Sequence, residues 1–142
     1  MKNKEILLYS QNTGSQQLFM LYLLGNTAFT IFFANAADVD KDLGLFIMLN
    51  IVLSLLAFLT AVRQRVYAMN WGYVGLVIGV FQILRLIWIP EEIVNPLRLL
   101  LIGLLFVTGS LAIVGSIKCL KRTSDRDHYI RANDIDLSIL QQ

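Results

Sequence analysis

Four uninterrupted apolar runs, covering residues 18–36, 43–62, 68–89 and 97–117, constrain this chain more than any other feature. A helix needs about 20 predominantly apolar residues to cross the hydrocarbon core of a bilayer, and each run is close to that length. Soluble domains are about 45–50% apolar and about 25% charged. Here 56% of the 142 residues are hydrophobic and 15% are charged. A water-soluble fold of this size has no interior large enough for so much apolar surface. Lipid is therefore the expected solvent.

The joints between runs are short. Asp38, Asp40, Lys41 and Asp42 mark the first, Arg63, Gln64 and Arg65 the second, and Pro90, Glu91, Glu92, Asn95 and Pro96 the third. Pro90 ends a helix and Pro96 suits the first turn of the next. Short joints force neighbouring spans to be antiparallel. The expected fold is all-α, an integral membrane four-helix bundle running up-down-up-down. Residues 1–17 form an N-terminal segment, 18–117 the bundle and 118–142 a C-terminal tail.

Direction follows from the basic residues, which accumulate in cytoplasmic loops. Lys2, Lys4, Arg63, Arg65, Lys118, Lys121, Arg122, Arg126 and Arg131 fall on one side, against Lys41 alone on the other. Both termini are thereby expected in the cytoplasm, in a plasma membrane or a bacterial inner membrane. Ala34-Asn35-Ala36 resembles a signal-peptide cleavage site. The polar lead-in at 10–17 is too long for one, and with Met1 at its head the segment reads as a retained first span.

The two halves carry a faint echo. Gly25 and Gly79 are 54 residues apart, as are Asp38 and Glu92. Ser54 and Gly109, Ala57 and Ala112, Ala61 and Ser116, and Arg63 and Lys118 are each 55 apart. Two tandem hairpins of like orientation would give this pattern, as parallel repeats do in some transporters.

Little chemistry is on offer. Cys119 is the single cysteine and His128 the single histidine, which argues against disulfides and zinc. No Asp or Glu lies within a span, which argues against proton-coupled transport. No nucleophile–base pair, P-loop or dinucleotide fingerprint occurs. No cofactor is expected, and a net charge of +2 without a basic stripe points away from nucleic acid. The chain reads as non-catalytic.

Within the spans, small residues recur at helical spacing: Gly72, Gly75 and Gly79 in the third, and Gly109, Ala112 and Gly115 in the fourth. Such faces let helix backbones approach closely, either inside the bundle or against another chain. Arg85 follows Gln82 by one turn. Its guanidinium either snorkels outward to Glu91, Glu92 or Asp42, or forms an anion, lipid-phosphate or partner-carboxylate site with Gln82 and Asn50. Arg98 lies two residues after Pro96 and has the same options. Asn26, Thr27 and Thr30 give the first span a polar face near mid-membrane.

In the tail, Ile135, Leu137 and Ile139 alternate with polar residues, the pattern of an extended segment that docks on a partner. The leading expectation is an accessory or scaffold subunit, with membrane lipids and other membrane subunits or copies of itself as partners. The alternative is a small homo-oligomeric channel or passive carrier, with Arg85, Gln82, Asn50 and Asn26 along the route.

Overall fold

The computed structural model describes residues 2–36 and 41–136, and these form five α-helices and one 3₁₀ turn. The helices are α1 (Lys2–Tyr9), α2 (Thr13–Ala36), α3 (Lys41–Arg65), α4 (Met69–Leu84) and α5 (Asn95–Ala132), with the 3₁₀ turn Arg85–Trp88 directly after α4. No strand occurs among the described residues. Helices α2, α3 and α5, and α4 taken together with its 3₁₀ turn, are long and apolar enough to cross a membrane. They mark the chain as an integral membrane protein.

Each long helix buries one narrow stripe. In α2 it is Ser15, Phe19, Tyr22, Asn26, Phe29 and Phe33, alternating steps of four and three. In α5 it is Leu101, Leu105, Thr108, Ala112, Gly115 and Cys119, with the same steps. This spacing keeps one seam facing inward along a bundle. Outside the seam the helices present Leu24, Leu45, Val77 and Leu99, each about 70% exposed, a surface suited to lipid rather than water.

Neighbours meet antiparallel. Gly25 of α2 abuts Thr108 of α5, Gly79 of α4 abuts Gly109 of α5, Asn26 of α2 reaches Ser54 of α3, and Gln64 of α3 reaches the Trp71 carbonyl of α4. Helix α5 packs broadly on both α2 and α4, whereas α3 and α4 share the thinnest of the four interfaces.

The interior is layered. At one end Phe29, Phe33, Ile89, Ile93, Leu101 and Leu105 form an apolar cap. A polar layer follows, then a second apolar cluster of Phe19, Tyr22, Ala57, Ala61, Ile78 and Ala112, then another polar layer at the end that carries the α3–α4 turn.

The joints obey their sequence signals. Ile89 is extended (φ −74°, ψ 119°), as a residue before proline must be, and Pro96 sits in the first turn of α5. The α3–α4 turn is closed by Tyr67, whose φ of 60° is left-handed. That conformation costs a non-glycine residue about 1 kcal/mol. The buried Tyr67 ring is held beneath the Arg126 guanidinium, 5.0 Å away.

Several expected boundaries shift. The third span does not stay α-helical to 89, because the helix tightens to 3₁₀ at Arg85. The N-terminal segment is mostly helical, and α2 begins at Thr13, inside the supposed lead-in. The fourth span continues without a break to Ala132. Ile135, expected in an extended segment that docks on a partner or lies against the inner end of the bundle, donates its amide to the Ile130 carbonyl (3.2 Å) at the end of α5. Leu137 and Ile139 lie outside the described residues, as do Asp38, Asp40 and the side chain of Asp42.

The burial pattern follows the expected repeat in one helix of each pair and not in the other. An offset of 55 lays the buried Asn50, Leu53, Ala57 and Gln64 of α3 onto the buried Leu105, Thr108, Ala112 and Cys119 of α5. An offset of 54 lays buried Phe19 and Asn26 of α2 onto exposed Tyr73 and Val80 of α4.

Candidate functional site

The upper polar layer, nearer the apolar cap, is centred on Arg85, whose side chain is 2% exposed. Arg85 lies one turn after Gln82 and continues the buried stripe of α4, at the point where the helix tightens to 3₁₀. Its Nη1 donates to Gln82 Oε1 (3.0 Å) and Asn26 Oδ1 (3.4 Å), and its Nη2 donates to Asn50 Oδ1 (2.9 Å). The guanidinium also lies 5.0 Å from the ring centroids of both Phe29 and Phe46.

The amides are oriented for this task because their nitrogens are occupied elsewhere. Gln82 Nε2 donates to Asn26 Oδ1 (3.0 Å) and Thr108 Oγ1 (3.1 Å), and Asn26 Nδ2 donates to Ser54 Oγ (3.1 Å). Asn50 Nδ2 donates to the Phe46 carbonyl (2.8 Å). Thr108 turns its own proton to the Leu104 carbonyl (2.7 Å), leaving its oxygen free to accept. Tyr22 Oη adds a long bond to Gln82 Oε1 (3.4 Å). Four helices thus supply one connected network.

Among the described residues no carboxylate pairs with Arg85, and its Nε has no hydrogen-bond partner. A guanidinium in hydrocarbon costs from about 2.5 kcal/mol upward. Neutral amide oxygens and ring faces each return part of this, about 1.5–3 kcal/mol per hydrogen bond to a charged group and up to about 2 kcal/mol per desolvated cation–π contact. They solvate the charge without cancelling it, so the layer remains electropositive.

The snorkelling expectation is therefore corrected. Arg85 points into the bundle, while Glu91 and Glu92 stay exposed. Gln82, Asn50 and Asn26 do converge with it. Arg98 does not: it is half-buried at the start of α5, and its Nε lacks a partner. Thr27 and Thr30 also stand apart, each bonded to the carbonyl four residues earlier in its own helix. Tyr22, Ser54 and Thr108 belong to the network and were missed. Isolated hydroxyls in apolar runs carry no signal by themselves. The seven-residue step from Leu101 to Thr108, on the stripe that also holds Ala112, was the available clue.

The lower polar layer, near the α3–α4 turn, was missed as a unit. Gln64 Nε2 donates to the Trp71 carbonyl (3.0 Å) and approaches Ser116 Oγ (3.5 Å), while Gln64 Oε1 accepts from Ser15. Ser15 Oγ also lies 2.8 Å from the Gly115 carbonyl. Cys119 and Asn12 are fully buried beside it, and Arg122 Nη1 donates to Asn12 Oδ1 (3.3 Å).

The small-residue faces pack within the chain. A methyl group placed on Gly79 would lie 3.0 Å from the Gly109 carbonyl oxygen, and one on Gly72 would lie 2.6 Å from Leu120. Gly75 faces Ser116, Gln64 and Phe19, and Gly115 faces Leu18 and Phe19. Ala112 is fully buried in the central cluster. Of the two expectations for these faces, packing inside the bundle is the one seen at Gly72, Gly75, Gly79, Gly109 and Gly115.

No protein-family model matches the chain, and no curated protein or solved structure matches it.

Proposed function

We propose that this chain is a non-catalytic membrane protein that takes an anionic group into the Arg85 layer and acts as a small passive carrier. The observation that carries this reading is the buried guanidinium, held among the described residues by neutral oxygens and ring faces with no carboxylate. A structural cation in a membrane interior is ordinarily paired, and an unpaired one is a binding centre for negative charge. The layer is closed above by the Phe29–Leu101 cap and below by the Phe19–Ile78 cluster. Enclosure on both sides favours an occluded carrier site over an open channel. The accessory-subunit reading draws less support from the glycine faces, because they are used within the chain. The up-down-up-down course across the bilayer, with both termini on the cytoplasmic side, remains part of the proposal and rests on the nine-to-one division of Lys and Arg.

The test is efflux of chloride, nitrate and acetate from phosphatidylcholine proteoliposomes containing the purified chain. Saturable flux without unitary conductance steps is expected. Arg85→Gln should reduce it by at least about tenfold, the effect of losing one charge-assisted contact. Absent flux from folded protein, or flux indifferent to Arg85→Gln, overturns the reading.

A further inference from the structure

The thin interface between α3 and α4 leaves an apolar seam on the lipid-facing side. Two grooves run along it. One, of about 400 Å³, is lined by Leu49, Leu53, Leu56, Tyr73, Val77 and Phe81 among others. The second, of about 530 Å³, is lined by Leu45, Phe46, Met48, Leu49, Val52 and Trp88. Leu49 lines both, and Phe81 of the first and Trp88 of the second meet edge-to-face at 5.8 Å, so the grooves are neighbours. From Leu45 to Leu56 the seam spans about 16 Å of helix, close to half of a bilayer's hydrocarbon thickness of about 30 Å.

Phe46 links this seam to the buried charge. It is half-buried, it lines the groove, and its ring lies 5.0 Å from the Arg85 guanidinium. Phe46 thus stands between the groove and Arg85, whose Nε has no hydrogen-bond partner. An apolar groove therefore lies one ring away from a positive charge that no carboxylate among the described residues pairs.

We propose that the ligand of the Arg85 layer is a long-chain carboxylate that enters sideways from the membrane between α3 and α4. Its carboxylate meets Arg85 past Phe46, and its alkyl chain lies along the Leu49 seam. The planar guanidinium fork matches a carboxylate, and Nε with one Nη is the edge left for bidentate pairing. A diacyl phospholipid fits less well, because a second chain and a glycerol headgroup cannot follow one ring's width into the bundle. This proposal rests on the anion-binding reading above and narrows its ligand.

The test uses the full chain carrying Trp71→Phe in phosphatidylcholine nanodiscs, so that emission comes from Trp88 alone. Palmitate brominated next to its carboxylate is titrated as a quencher. Saturable quenching is expected, reversed by palmitate but not by hexadecanol or phosphatidylglycerol. Arg85→Lys keeps the charge but loses the fork and should weaken the effect by about tenfold. Leu49→Phe fills the seam at a lipid-facing site, leaves Trp88 the sole tryptophan, and should weaken palmitate competition comparably. Equal competition by hexadecanol, or competition by phosphatidylglycerol in place of palmitate, overturns the carboxylate amphiphile. If acetate or chloride shifts Trp88 emission in an Arg85-dependent way while palmitate does not compete, the anion site stands and sideways entry falls. If neither has any effect on folded protein, both fall.

Discussion

Arg85 Nη2 and Asn50 Oδ1 lie 2.9 Å apart and join the 3₁₀ turn to α3 across the thinnest interface in the bundle. Asn50 contributes an oxygen and no charge, because its nitrogen is spent on the Phe46 carbonyl. Asn50→Asp would place a carboxylate against the guanidinium and supply the counter-ion that the layer lacks. The variant is expected to stay folded in detergent by circular dichroism. It should lose at least about tenfold in affinity for any anion, since the pair would neutralise the site before a ligand arrives. Retained anion binding would count against Arg85 as the recognising charge.

Thr108 and Thr27 make the same bond to a carbonyl four residues back, and only Thr108 also accepts from Gln82. Thr108→Val should lower stability by about 0.6 kcal/mol, and by no more than about 1.7 kcal/mol, the range measured for hydrogen bonds between membrane helices. Thr27→Val, at an exposed position, should be neutral within error. Thermal unfolding of both variants in one detergent separates the cases.

Gly75 is the most crowded of the glycines. A methyl group there would come within 2.7 Å of both Gln64 Nε2 and Phe19 Cζ, and would also meet Ser116. Gly75→Ala is expected to cost about 1–3 kcal/mol through overpacking. Gly103→Ala, where nothing lies within 4 Å, should instead stabilise by up to about 1 kcal/mol through helix propensity. A comparison of unfolding midpoints decides, and equal effects would mean that the α2, α3 and α5 contacts around Gly75 are not as close as described.

Cys119 reports on the lower layer. Its side chain is fully buried, with Sγ 4.0 Å from the Gln64 carbonyl and 3.9 Å from Thr123 Oγ1. Folded protein should resist maleimide and react fully on denaturation. Gln64→Ala removes the side chain that ties α3 to Ser15 and to the Trp71 carbonyl, and should speed labelling by about tenfold through local opening. Rapid labelling of the unaltered chain would contradict the packing of that layer.

The spans were legible because apolar length is a property of composition alone. Asn26, Asn50, Gln82 and Arg85 were legible as a group because they share a depth. The direction of Arg85 was not. Its position near Pro90 permits snorkelling, although steps of four and three from Ile78 and Gln82 place it on the buried stripe of α4. Gln64 was hidden for the opposite reason. Flanked by Arg63 and Arg65, it reads as a solvated joint, although steps of four and three from Ala57 and Ala61 place it on the buried stripe. Polarity near the end of a span has two meanings, and helical phase separates them better than composition does. The same holds for the glycines: spacing shows that a helix face is smooth, and only the fold shows which helix occupies it.

Helix α5 has 38 residues, about 57 Å at 1.5 Å per residue, nearly twice the thickness of a hydrocarbon core. The 15 residues after its apolar stretch therefore form a rigid arm about 22 Å long, continuous with the wall of the Arg85 layer. No joint interrupts that arm, so it acts as a lever. A tilt of about 10° at Thr108, within the range that membrane helices adopt, would swing its far end by about 6 Å. Whatever fills or empties the polar layer would thus be signalled mechanically at the position of Arg131.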